Sequence, residues 1–177
     1  MVGIAQDGVD AIPAVFDQFP RDFDAAVIVV LDPGIGDAMR VLALVRQSAR
    51  MRVVHAVESL PLETGSIFAL PTPQATRVQR LQLRIGPSAS NWLDDLLASV
   101  SIEFNWRAVG VLLGQRFEGR EALKILETSG GRVLFPSVRT PAGTCPHREL
   151  GRRVVALVER LRNRERLGVR AVKPSVP

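Results

Sequence analysis

The groups that most often carry covalent or metal chemistry are scarce in this chain, and each shortage excludes something. A single cysteine, Cys145, rules out an internal disulfide framework. Only two histidines are present, and Cys145-Pro146-His147 has no further ligands at zinc-like spacing, so no structural metal site is expected there. No apolar run approaches the ~18 residues of a membrane span. The N-terminus lacks the basic stretch and apolar core of a secretory signal, so a cytoplasmic location is expected. Aromatic residues make up 5% of the chain, and basic residues near Trp92 and Trp106 are few. The two tryptophans are therefore expected to pack in or beside the core and not to stack on bases. Gly34-Ile35-Gly36 is too short for a phosphate-binding fingerprint and has no P-loop lysine.

Hydrophobic residues, at 46%, are plentiful enough for a sizeable core in one domain, expected over residues 1–165, with a basic tail over 166–177. The charge is uneven. Between Arg148 and Lys173 nine basic residues face three acidic ones, a net of +6, and the rest of the chain nets −1. Such an end can meet nucleic acid, an acidic partner or anionic lipid, although a solvated arginine-rich helix face is the simpler expectation.

Continuous apolar, β-branched runs mark strands covered on both faces, at Val2–Ala5, Ala25–Leu31 and Ala108–Leu113. Helical spacing predicts helices over Gly8–Phe19, Asp37–Ala49, a segment capped by Ser90 or Asn91, Glu118–Thr128 and Arg148–Arg164. Further strands are expected at Arg52–Val57, Ser66–Leu70 and Arg132–Phe135. Imperfect alternation over Arg77–Ile85 reads as one half-exposed strand. Together these predict an α/β fold: a doubly wound, mostly parallel sheet with helices on both faces and a short antiparallel edge ribbon.

In such a sheet, chemistry belongs at the carboxyl ends of the strands. There this chain has Gln6-Asp7, Asp32-Pro33 and Glu118-Gly119, with no serine, histidine or cysteine. Asp7, Asp32 and Glu118 could in principle gather a divalent cation such as magnesium. Simple solvation is the stronger expectation, with Asp7 and Asp10 facing the positive end of the first helix. His55 is expected to be a structural histidine of the third strand.

Several ordered strings then coincide with a known family. They are Val2-Gly3-Ile4 with Ala11-Ile12, Phe23–Leu31, Val53–Glu58, and Leu62–Pro71. The last is Arg107–Gly114, followed by Glu118-Gly119 and Ser129-Gly130-Gly131. Over residues 2–136 the chain resembles the catalytic domain of the CheB-type protein-glutamate methylesterases of bacterial chemotaxis. The receiver domain that precedes this region in most members is not expected, because the chain begins on the first strand.

The resemblance implies a serine, histidine and aspartate that hydrolyse a receptor glutamate methyl ester. Counting from the matched strings, the serine position falls on Asp7 or Ala5, the histidine position on Asp32 and the aspartate position on Glu118. The glycine turn after the first strand is two residues shorter than the family's. An ordinary aspartate, with a pKa near ~4, is too weak a base to activate a hydroxyl, and none stands beside it. The shortened turn should also alter the oxyanion N–H groups, worth roughly 3–4 kcal/mol in comparable enzymes. The expectation is a catalytically inactive methylesterase-like domain without cofactor or metal. It would bind a protein partner, such as a chemoreceptor or signalling component of a chemotaxis or pilus-control system. The alternative is an active methylesterase or other hydrolase with a rearranged site.

Overall fold

A computed structural model describes residues 1–70, 74–87, 90–117, 122–136 and 145–167. Six strands form one parallel sheet: β1 (Val2–Ile4), β2 (Val27–Leu31), β3 (Arg52–His55), β5 (Ser66–Leu70), β8 (Val109–Leu113) and β9 (Arg132–Leu134). Their spatial order is β3-β5-β2-β1-β8-β9. The chain winds outward from β1 through β2 on one side and returns through β8 to β9 on the other. The switch point therefore lies between β1 and β8.

Alternation along each strand divides the core into two layers. Val2, Ile4, Val29, Leu31, Ile67, Val111 and Leu113 face α1 (Ile12–Phe16), α2 (Ala38–Ser48) and α5 (Pro146–Arg166). Ile28, Val30, Phe68, Leu70 and Leu112 face α3 (Trp92–Phe104) and α4 (Lys124–Thr128). The expected doubly wound architecture is what the chain adopts.

Three elements differ from the sequence reading. Arg77–Ile85 is not one strand but a hairpin, β6 (Thr76–Gln79) and β7 (Gln82–Ile85). Its turn residues, Arg80 and Leu81, have φ of +51° and +57°, a conformation usually left to glycine or asparagine. Glu103 of α3 accepts the N–H groups of Arg80 at 3.2 Å and Leu81 at 3.1 Å, so a tertiary contact does the work of turn residues. The hairpin joins β4 (Leu60–Pro61) in a separate sheet and does not extend the edge of the main one. The first helix is also shorter than expected. Gln6–Ala11 is a 3-10 turn, and the α-helix starts at Ile12 with Pro13 in its first turn, where a missing N–H costs nothing. The last helix is longer than Arg148–Arg164, running to Arg166. Of the expected tail, residues 168–177 lie outside the described residues.

Candidate functional site

The parallel register carries three chain segments to one edge. Ile4 pairs with Leu31 on one side and Leu113 on the other, so Ala5, Asp32 and Gly114 leave the sheet side by side. At the switch point, between β1 and β8, this edge is closed by backbone. The Ala5 N–H donates to the Leu113 carbonyl at 2.9 Å, and Gly8 N–H donates to the Ala5 carbonyl at 2.9 Å. A Cβ placed on Gly8 would overlap the Leu113 carbonyl group itself. Gly114, at φ +95°, is equally confined: its Cβ would strike the Asp7 carboxylate and would lie 2.9 Å from Ala5 Cβ. Phe117, buried, lies over Gly3, where a Cβ would come within 3.0 Å of its ring. Backbone thus closes the edge between β1 and β8, and the phenyl ring packs over β1 on the α3–α4 face of the sheet.

Asp7 and Asp32 are both committed to backbone N–H groups. Asp7 is exposed, yet its carboxylate accepts the Gln115 N–H at 2.8 Å, tying the β1 turn to the β8 turn. It also stands in the first turn of the Gln6–Ala11 3-10 helix, as expected. The same hydrogen bond is the main cause holding its carboxyl below the usual range, with the Arg116 N–H and charge adding to it against some desolvation. Asp32 is buried, at 7% exposure, and not solvated as expected. Its carboxylate accepts the Gly34 N–H at 3.0 Å and its carbonyl the Ile35 N–H at 3.0 Å, which makes it the organiser of its own turn. Glu118 lies outside the described residues. Among the described residues no three His, Cys, Asp or Glu side chains gather as a cation site.

His55 is exposed at the end of β3, an outer strand. Three strand spacings, about 14 Å, separate β3 from β1, so it cannot serve a group on the β1 turn. Trp92 is buried in the α3 layer, and Trp106 lies under the Arg164 guanidinium at 5.8 Å.

No local pattern in the sequence points to the pairing at the opposite edge. Asp24, just before β2, accepts Arg162 of α5 through both oxygens at 2.6 Å, and Glu165 accepts both Arg162 and Arg107. These four residues rim a cleft of about 310 Å³ floored by Ala26, Ile28, Leu62, Phe104 and Val109. The partners are 138 residues apart, so only the fold reveals them. Each is about 40% exposed, and the pair contributes about 1 kcal/mol after solvent screening.

Asp7 makes a pH-dependent contribution. Its folded pKa is lowered, so its stabilisation is complete above the unfolded value of ~3.9 and is lost as pH falls through the folded one. Asp7→Asn is expected to lower the urea midpoint at pH 7, with the gap to the parent closing in acid. A gap of equal size at pH 7 and pH 2.5 would remove Asp7 from this role.

Comparison with known proteins accords with this fold. The family model described as CheB methylesterase matches residues 1–142. The chain is 23% identical over 149 residues to the protein-glutamate methylesterase/protein-glutamine glutaminase 1 of Oleidesulfovibrio alaskensis, covering 78% of this chain and 40% of that one. It is 24% identical to the corresponding protein 2 of Nitratidesulfovibrio vulgaris, covering 78% and 41%. The chain thus spans about two fifths of these relatives. The crystal structure of the Thermotoga maritima CheB methylesterase catalytic domain superposes with a TM-score of 0.72 at 14% identity, covering 89% of this chain and 96% of that one.

Proposed function

Because the chain belongs to the CheB methylesterase family, we propose that it is a member without esterase activity that serves as a binding or regulatory component of a bacterial chemosensory system, in chemotaxis or pilus control. The observation that carries this reading is the closed turn between β1 and β8. Ester hydrolysis through an acyl-enzyme needs a hydroxyl or thiol, a base in contact with it, and N–H groups converging on the developing oxyanion. On the β1 turn, residues 5–8 offer Ala5, Gln6, Asp7 and Gly8. Its N–H groups at Ala5 and Gly8 are already given to the Leu113 and Ala5 carbonyls. Asp32, at the family's histidine position, directs its carboxylate to Gly34.

Binding is the function that such a frame retains. The family's sensory context suggests a chemoreceptor or signalling protein as partner, by analogy of fold. The test is direct. Purified chain incubated with a methyl-esterified receptor is expected to release methanol at the uncatalysed rate, and a serine-reactive fluorophosphonate is expected to label nothing. Methanol release well above background, together with a labelled serine, would establish the rearranged hydrolase instead. Capture of sensory components from extract is the expected result for the partner, and their absence would refute that half of the reading.

A further inference from the structure

We propose that the outer face of α5 is a docking surface for an anionic phospholipid bilayer. The helix buries Leu150, Val154, Val158 and Leu161 against its own domain. On the other side Arg148, Arg152, Arg153, Arg160 and Arg164 stand exposed. The fold uses Arg162 and Arg166 against Asp24, but among the described residues no carboxylate pairs with those five. Arg153 donates to the carbonyl of Phe135 and Arg160 to that of Ala156, and Arg164 lies over Trp106.

Helix stability accounts for only some of these residues: Arg164 lies in the last turn, where the dipole favours a cation, and Glu149 precedes Arg153 by four residues. Arg148 sits in the first turn, where the helix dipole disfavours a cation. The Arg148/Arg152 and Arg160/Arg164 pairs place like charges four residues apart, which is destabilising in a helix. A partner carrying dense negative charge would reverse both effects, and the guanidinium fork matches phosphate oxygens.

The rest of the face narrows the partner. Between the arginines lie Glu149, Ala156, Glu159 and Asn163; the exposed Leu167 ends the helix on the same side, an apolar group that can enter the headgroup region, and the exposed Phe135 lies beside Arg153. The apolar side is committed to the core, so α5 cannot roll over and embed. At 100° per residue the five arginines fan over about 160° of a convex ridge about 31 Å long. Mobile lipid headgroups can gather around such a fan, whereas the fixed phosphates of a duplex cannot follow it. Beyond the helix the sequence adds Arg170 and Lys173 before any acidic residue.

The proposal stands apart from the reading of the carboxyl edge, and its readout is not ester hydrolysis. The experiment is co-sedimentation of the full chain with vesicles containing phosphatidylserine, against phosphatidylcholine alone. Binding is expected only to the anionic vesicles and should fall steeply with added salt. The R153Q/R160Q/R164Q variant is expected to lose affinity on the order of 100-fold. An R40Q/R46Q/R84Q variant removes equal charge from exposed positions elsewhere and is expected to bind nearly as well. Equal loss in both variants would overturn the proposal, since net charge alone would then explain binding. So would failure of the parent chain to prefer anionic vesicles, or tighter binding to a 20-base-pair duplex at matched phosphate and salt.

Discussion

Gly8→Ala is expected to destabilise the protein by roughly 3 kcal/mol or more, although a glycine-to-alanine change on a compatible turn usually helps. The reason is where the new methyl group goes. It would lie 2.2 Å from the Leu113 carbonyl carbon and oxygen and 2.6 Å from the Gly114 nitrogen, and none of these is the movable end of a side chain. Relief requires separating the β1 turn from β8. That breaks the Ala5–Leu113 hydrogen bond and draws Asp7 away from the Gln115 N–H. Gly36→Ala is the control, because a Cβ there meets nothing within 4 Å, and it should be neutral or slightly stabilising. The check is urea unfolding of both variants beside the parent. A Gly8→Ala cost below about 1 kcal/mol would mean that the turn stands off β8, and the crevice would then have room for a substrate.

Closure of this turn was only half visible in the sequence. The missing hydroxyl could be read directly, as could the shortened glycine turn. What fills the space could not, because it depends on registers between segments more than 100 residues apart: Asp7 with Gln115, and Gly8 with Leu113. Phe117 carries no local signal, being one apolar residue in a loop. Its ring reaches over β1 only because position 3 is glycine and offers no Cβ on that face of the sheet. Asp32 departs from expectation for a related reason. Loop aspartates are commonly solvated, but this one folds back on the turn Pro33–Ile35 and is buried by it.

The frame was more legible than the site because burial on two faces writes itself into composition. Val27–Leu31 and Val109–Leu113 are continuous apolar runs, and both are interior strands of the sheet. Ser66–Leu70 is another such run, entirely buried, yet the irregular sequence around it concealed that it lies centrally, between β3 and β2. The hairpin after it carries no glycine or asparagine at its turn. Its signal rests in Glu103, on the helix against which it packs. Local rules succeed where a strand's neighbours are generic hydrophobic layers and fail where one distant side chain determines the backbone.

A chain ending at Gly151 is expected not to fold cooperatively. The truncation removes Val154, Val158 and Leu161 and leaves Leu150 without a helix to hold it. Each such side chain is worth roughly 1.5–3 kcal/mol when buried. Together they approach the whole stability of a typical domain, about 5–15 kcal/mol. The loss also uncovers Val15 and Phe16 of α1, since α5 crosses α1 so closely at Gly151 that a Cβ there would lie 2.7 Å from the Val15 carbonyl. Ending the chain after Leu167 keeps all of these contacts and should leave the urea midpoint nearly unchanged. Near-UV circular dichroism and urea titration distinguish the cases, and a sharp, native-like transition in the shorter chain would show that α5 is not part of the core. The consequence reaches the basic face. Anion binding lost on truncation would report unfolding and not the missing charge, so the arginines must be neutralised in place, with the apolar side of α5 left intact.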